Sequence, residues 1–323
     1  MYGDNPLNIN YKNLKICERI KVGGSRNIPV EIYYELYGSG SKKVLFLNGK
    51  PQPIFRHHVI FIAKSPLSLY VSYLVQFPEY QIVVYDHRGT GYSESCNFPE
   101  ITTSNMAKDA EELVSYLRWD KDVNIVGISM GGMIASELSL LIPEKISTIT
   151  LCSTTSGRLF YKPQAVTTNL KCLMAKTQAE LVGYIVDSLY PKEWLDSKCV
   201  FDSDEQTNRN FLTSSYERKL KNTKIHGLNP FAGQALAVLR HNVPSKSLNR
   251  MGELFNGKKI WIVVGTQDNY IPETDSEYLA KHIGDNACEL QIFDGSGHAI
   301  PIQNFDVFSK KVHQLFGLGR VPE

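Results

Sequence analysis

The sequence predicts an α/β fold: a doubly wound, mostly parallel sheet of the eight-stranded type, with a helical cap inserted into it. Three observations lead there. Short β-branched runs recur along the chain with helix-like segments between them, as a parallel sheet with crossover helices requires. Several runs are apolar throughout rather than alternating, which suits strands buried on both faces. The β–α rhythm then stops between about residues 157 and 250, where helical stretches are joined by polar loops.

Residues 30–36 alternate and stop at Gly38-Ser39-Gly40, as a half-exposed strand does. Residues 44–47 are fully apolar and read as a central strand; 82–85, 123–126, 146–152 and 260–264 share that character, and 289–293 form the last strand. Residues 106–117 place apolar side chains at 106, 110, 113, 114 and 117, one face at helical period. Residues 133–141 are rich in helix formers and stop before Pro143. Within the interruption, 178–189 and 231–239 read as helices. The expected organisation is a core of residues 1–156 and 251–323, with the cap over 157–250.

Composition narrows the function classes. The chain has 323 residues, 42% hydrophobic and 21% charged, with a formal net charge of +2. A near-neutral chain without charge runs argues against nucleic acid or an anionic membrane as the main partner. The longest apolar stretch, residues 59–75, is interrupted by Lys64, Ser65 and Pro66, so no membrane span is expected. The first residues show no signal-peptide pattern, and the six cysteines form no CxxC pair; both point to a cytoplasmic protein with reduced thiols. Adjacent His57 and His58 are the only close histidine pair, so neither a metal nor a cofactor is expected.

The chemistry concentrates in Gly127-Ile128-Ser129-Met130-Gly131, set between an apolar strand and a helix. A serine on a sharp strand-to-helix turn needs room on both sides, which the flanking glycines give. The following helix N-terminus turns free N–H groups toward a developing oxyanion, with Met130 N–H as the natural first donor. Such a nucleophile needs a base, and the base an orienting acid, in the chain order serine, acid, histidine. Asp268 follows the strand at 260–264, and His298 follows the strand at 289–293 through Gly295-Ser296-Gly297. Asp275 and Asp294 are rival acids, the first placed in or just before a helix, the second close along the chain to His298. His87, His226, His241, His282 and His313 read as structural or solvated, as do Asp86 and Arg88. The second oxyanion donor is expected from the loop after the strand at 44–47, at Lys50 N–H, with Gly49 allowing close approach.

Taken in order, Asp86-His87-Arg88-Gly89-Thr90-Gly91-Tyr92-Ser93, Gly127-Ile128-Ser129-Met130-Gly131-Gly132-Met133, Gly265-Thr266-Gln267-Asp268 and Gly295-Ser296-Gly297-His298 resemble the α/β-hydrolase superfamily. Within it the chain is similar to the fold-1 group of esterases, enol-lactone hydrolases and related enzymes, over roughly residues 28–315. The resemblance implies a triad of Ser129, Asp268 and His298 beneath a helical cap, and Ser129 excludes the relatives with an aspartate nucleophile. The chain departs from the family after Gly49. Asn48-Gly49 stands where His-Gly is usual, and residues 50–70 read as an insertion or as coding sequence from a misplaced exon boundary. The Lys50 assignment rests on that abnormal loop.

The expected activity is serine hydrolysis of a small or medium carboxylic ester, lactone or thioester through an acyl-enzyme. The alternatives are a ligand-binding protein that keeps only the fold, and an acyltransferase using the same three residues. The partner expected is a small apolar ester-type molecule, met by cap residues such as Phe160, Tyr161 and the stretch 227–234. The sequence carries no signal for oligomeric state.

Overall fold

The computed structural model describes residues 13–49, 52–54, 58–60, 71–157, 162–201, 204, 206–221, 228–257 and 259–317. Eight strands form one sheet: β1 (Leu14–Val22), β2 (Val30–Gly38), β3 (Lys42–Leu47), β6 (Tyr80–Tyr85), β7 (Val123–Ile128), β8 (Ile146–Cys152), β9 (Ile260–Gly265) and β10 (Cys288–Phe293). Their spatial order is β1-β2-β6-β3-β7-β8-β9-β10. The pairs β1–β2 and β2–β6 are antiparallel, and every pairing from β6 onward is parallel. This is the doubly wound sheet that the apolar runs predict. The strand β1 lies beyond what they predict, because it is an edge strand with most side chains in solvent.

Successive side chains of a strand face opposite ways, so the central strands feed two cores. Val44, Phe46, Val126, Trp261 and Val263 face one core with Phe308 and Val312; Leu45, Leu47, Ile125, Ile260 and Ile262 face the other. Helices cover both faces. The second core is closed by α1 (Thr103–Tyr116) through Met106 and Leu113, and by α2 (Met130–Leu141) through Met133 and Leu138. Helix α1 starts where Thr102 accepts a hydrogen bond from Asn105 N–H at 3.0 Å, an N-cap that satisfies one of the free N–H groups of its first turn.

After β8 the chain leaves the sheet past Ser156 and returns at Val243, whose N–H donates to the Ser156 carbonyl at 2.8 Å. Between these points lie α3 (Pro163–Met174), α4 (Gln178–Leu189), α5 (Lys192–Asp196), α6 (Asn208–Lys221) and α7 (Leu228–Arg240). Leu181, Ile185, Phe211 and Leu212 from α4 and α6 join the first core, so this helical layer packs as a continuation of it. The helix α8 (Ser245–Leu254) runs through residue 250, where the sequence reading ends the cap. Its Leu248 and Met251 are buried in the second core with α2 and with α9 (Glu273–Ile283), which makes α8 part of the core and closes the insertion near Val243. The last helices are α10 (Ile300–Gln303) and α11 (Phe305–Leu315).

Two short strands stand apart from the main sheet, β4 (Gln52–Ile54) and β5 (His58–Ile60), paired antiparallel as a hairpin. They fall in the segment where the sequence departs from the family it resembles. The backbone of β4 runs beside α3 and α4, and that of β5 beside α7.

The turn after β6 is held by a buried ion pair. Arg88 donates from Nε and Nη2 to the two carboxylate oxygens of Asp109 on α1, at 2.6 and 2.7 Å, and both side chains are sealed from solvent. Asp86 accepts from Tyr92 N–H at 2.9 Å and closes the same turn. Both residues therefore do the structural work expected of them. Replacing Asp109 strands a guanidinium in the interior, which costs far more than the intact pair contributes. Asp109→Ala is expected to lower unfolding stability by about 3–5 kcal/mol, read from urea denaturation at neutral pH.

Candidate active site

Polar side chains gather where the parallel strands end. At the end of β7, Ser129 has φ 56° and ψ −120°, a conformation that costs a side-chain-bearing residue of order 1–3 kcal/mol and persists only when its surroundings enforce it. Ser129 N–H donates to the Cys152 carbonyl at 2.8 Å, and its own carbonyl accepts from the Thr154 hydroxyl at 2.7 Å and from Gly132 N–H at 2.9 Å. The turn has no space for side chains on either flank. A Cβ on Gly127 would lie 2.5 Å from the Gly131 carbonyl oxygen, and one on Gly131 would lie 2.0 Å from that of Leu47. Met130 is the first residue of α2, so its N–H belongs to the turn whose donors lack partners inside the helix.

Asp268 and His298 meet beyond the ends of β9 and β10. His298 Nδ1 lies 2.8 Å from Asp268 Oδ2 and 3.0 Å from Oδ1. A carboxylate only accepts, so the Nδ1 facing it is the donor of this contact. Asp268 is fully buried, and its Oδ1 also accepts from the N–H groups of Tyr270 and Ile271 at 2.8 and 3.0 Å. These two N–H groups and the His298 ring fix the direction of the carboxylate. Tyr270 lays its ring against the imidazole, with centroids 4.9 Å apart. The rival acids stand elsewhere: Asp294 accepts from the Thr266 hydroxyl at 3.1 Å, and Asp275 lies in the first turn of α9.

The geometry thus brings two of the three expected side chains into contact and places the third on the same edge of the sheet, two strands away. Among the described residues no hydrogen bond links Ser129 Oγ to the His298 ring; such contacts commonly tighten only when substrate binds. Lys50, expected as second oxyanion donor, lies outside the described residues, as do Phe160, Tyr161 and Gly227. Cys152, which ends β8, is no competing nucleophile. Burial above all, with the nearby Asp268 charge, holds its thiol protonated far above the usual range, although the Ser153 hydroxyl pulls the other way. Among the described residues no three His, Cys, Asp or Glu side chains are grouped as metal ligands would be, and no helix is long and apolar enough to cross a membrane.

Several site residues escape a reading of the sequence. Thr154 is one of four consecutive hydroxyl residues after β8, and only the fold shows that it is the one that grips Ser129. Lys162, at the start of the inserted helices, donates to the Asp268 carbonyl at 2.7 Å. A cavity of about 360 Å³ opens behind Asp268, lined in part by Lys162, Asp187, Tyr190 and Asn269. Its lining is largely polar and includes neither Ser129 nor His298, unlike the apolar pocket expected for the substrate. His87, placed among the structural histidines, sits behind the loop that follows β3, with Nε2 3.1 Å from the Asn48 carbonyl.

A sheet of this order, a strained serine at the end of β7 and an acid–histidine pair after β9 and β10 are the frame of one family. The chain belongs to the alpha/beta hydrolase fold family, whose sequence profile matches residues 42–305. Over 239 residues it is 26% identical to a protein of Agrobacterium fabrum named "putative carbamate hydrolase RutD", covering 73% of this chain and 82% of that protein. Its fold matches a meta-cleavage product hydrolase of Pseudomonas fluorescens with a TM-score of 0.69 at 16% identity, over 94% of this chain and 98% of that one. It also matches an enol-lactonase of Burkholderia xenovorans with a TM-score of 0.65 at 17% identity, over 93% and 100% of the two chains.

The environment of His87 makes a pH prediction. Its pKa is pushed down from 6.5 to about 4, chiefly by burial, against the pull of the Asn48 carbonyl and the Asp109 charge. Because the unfolded chain binds this proton more readily, the neutral ring's contribution to stability is complete above pH 6.5 and is lost as pH falls toward about 4. Urea denaturation at pH 7 and pH 5 should show wild type losing more stability than His87→Gln over that interval.

Proposed function

We propose that this protein is a serine hydrolase that cleaves small or medium carboxylic esters, lactones or thioesters through an acyl-enzyme. The observation that carries the reading is the Asp268–His298 hydrogen bond, set on the same sheet edge as a serine in a strained, backbone-clamped turn. His298 Nε2 takes the Ser129 hydroxyl proton as Oγ attacks the substrate carbonyl. Asp268 holds the imidazole by its Nδ1–H and stabilises the imidazolium that forms. Met130 N–H and the N–H of Lys50 receive the oxyanion of the tetrahedral intermediate. His298 then gives its proton to the leaving alcohol, and the acyl-enzyme remains. Water, deprotonated by the same nitrogen, releases the acid and restores Ser129.

Helices α3 to α7 form the cap and select the substrate. The RutD relative adds carbamates to the carbonyl compounds worth testing, since the same attack and release serve them. All six cysteines are free, four of them buried, which supports residence in a reducing compartment such as the cytoplasm.

A fluorophosphonate probe is expected to label Ser129, identified by peptide mass spectrometry, and to leave Ser129→Ala unlabelled. Asp268→Asn, which presents the imidazole in the wrong tautomer, should lower kcat by roughly 10³–10⁴-fold on an ester that wild type cleaves. A folded wild-type protein that takes no label and turns over no member of an ester, lactone, thioester and carbamate series would falsify the reading.

A further inference from the structure

Behind the serine, the loop that follows β3 is gripped by a side chain the mechanism above does not use. His87 belongs to the turn after β6, the strand beside β3, and is buried, as is Asn48. Its Nε2 lies 3.1 Å from the Asn48 carbonyl oxygen. A carbonyl only accepts, so Nε2 carries a proton, and the buried Nδ1 has no hydrogen-bond partner among the described residues. The residue is itself held at both its ring and its backbone. Tyr85 packs edge-on at 4.9 Å, and the His87 carbonyl accepts from both the hydroxyl and the N–H of Thr90, at 2.6 and 3.0 Å. In return, Asn48 Nδ2 donates to the Tyr85 carbonyl at 3.3 Å, so the ends of β3 and β6 are fastened reciprocally.

What is fastened abuts the nucleophile. A Cβ on Gly49 would lie 3.2 Å from Ser129 Cβ and 3.8 Å from its Oγ. The peptide unit is planar, so holding the Asn48 carbonyl also fixes the Gly49 N–H and the direction in which the chain continues. An oxyanion donor is effective only if its direction is set before the reaction, because a loop that must be ordered during the reaction forfeits much of the gain.

We propose that His87 is a positioning residue of the oxyanion hole, its Nε2–H clamping the Asn48 carbonyl so that the Asn48–Gly49 peptide is held beside Ser129. The proposal rests on the reading of Ser129 as nucleophile. The low pKa of His87 agrees with it, since the ring stays neutral and keeps one donor on the carbonyl throughout the neutral range. The clamp acts on the transition state, not on substrate binding, and that separates it from a packing role.

The test carries wild type, His87→Phe and His87→Gln through hydrolysis of p-nitrophenyl acetate, fluorophosphonate labelling, and inhibition by phenylboronic acid, which becomes tetrahedral on the serine. In His87→Phe, kcat is expected to fall about 10–100-fold with KM within about twofold, and boronate affinity to weaken in step with kcat. His87→Gln, which keeps an N–H donor, should recover part of both. Unchanged kcat and boronate affinity in a folded His87→Phe, or a change confined to KM, overturns the proposal. Failure of the underlying reading looks different: the wild type itself takes no label, and the proposal falls with it. Should His87→Phe not fold, nitrogen NMR of the wild-type ring decides. An Nε2–H tautomer whose resonance moves on boronate binding supports the clamp, whereas an Nδ1–H tautomer, which would turn a lone pair toward the carbonyl, overturns it.

Discussion

With both faces of the central sheet covered by helices, strand side chains from β3, β7 and β9 pack almost entirely among apolar neighbours, and the buried Asn124 of β7 is satisfied by the Thr148 hydroxyl and the Lys43 carbonyl. A polar group there needs such a partner within the sheet, so groups free to meet a ligand gather where strands end. Ser129, Thr154, Asp268 and His298 all lie just beyond the ends of β7, β8, β9 and β10, four consecutive neighbours in the sheet. The strain at Ser129 is tolerable for the same reason. A close-packed sheet on one side and the first turn of α2 on the other leave the residue no relaxed alternative. Even the Arg88–Asp109 pair serves this edge, because it fixes the turn after β6 against α1 while paying its desolvation through two short hydrogen bonds.

The acid and the histidine are tied to the inserted helices as firmly as to each other. Lys162 holds the Asp268 carbonyl, Asn269 Nδ2 donates to the Ser188 carbonyl at 3.1 Å, and the Tyr270 hydroxyl donates to Ser188 Oγ at 2.7 Å. Ala299, the residue after His298, donates its N–H to the carbonyl of Leu189 at the end of α4, at 3.3 Å. Helix α4 and the two loops therefore form one hydrogen-bonded body. A displacement of α4 has to break several of these bonds or carry the imidazole with it.

The opposite side of the site is built differently. Ser129 and the start of α2 are set by local backbone geometry, whereas the loop after β3 leads into a hairpin outside the main sheet. No strand register reaches that loop. Its orientation depends on side-chain bonds, those of Asn48 to the end of β6 and of His87 to Asn48. The loop is thus held by few bonds, whereas Asp268 and His298 are held by many partners.

The strands were legible because burial on both faces writes itself as unbroken apolar runs such as Val44-Leu45-Phe46-Leu47. Strand β1 carries no such run because it is an edge strand in solvent, and α8, which starts within the range read as the cap, buries Leu248 and Met251 in the second core. The placement of Ser129 on a strand-to-helix turn followed from its glycines, since only the absence of a Cβ permits the backbone to come so close. Chain position alone sets Asp268 beside Asp275 and Asp294 as partners for His298, and the 2.8 Å contact between its carboxylate and the ring distinguishes it from them. The roles of Thr154, Tyr270, Lys162 and His87 were decided wholly by the tertiary structure. Each acts through the direction of one side chain toward a residue distant in the chain, and a sequence records which residue is present without recording where it points.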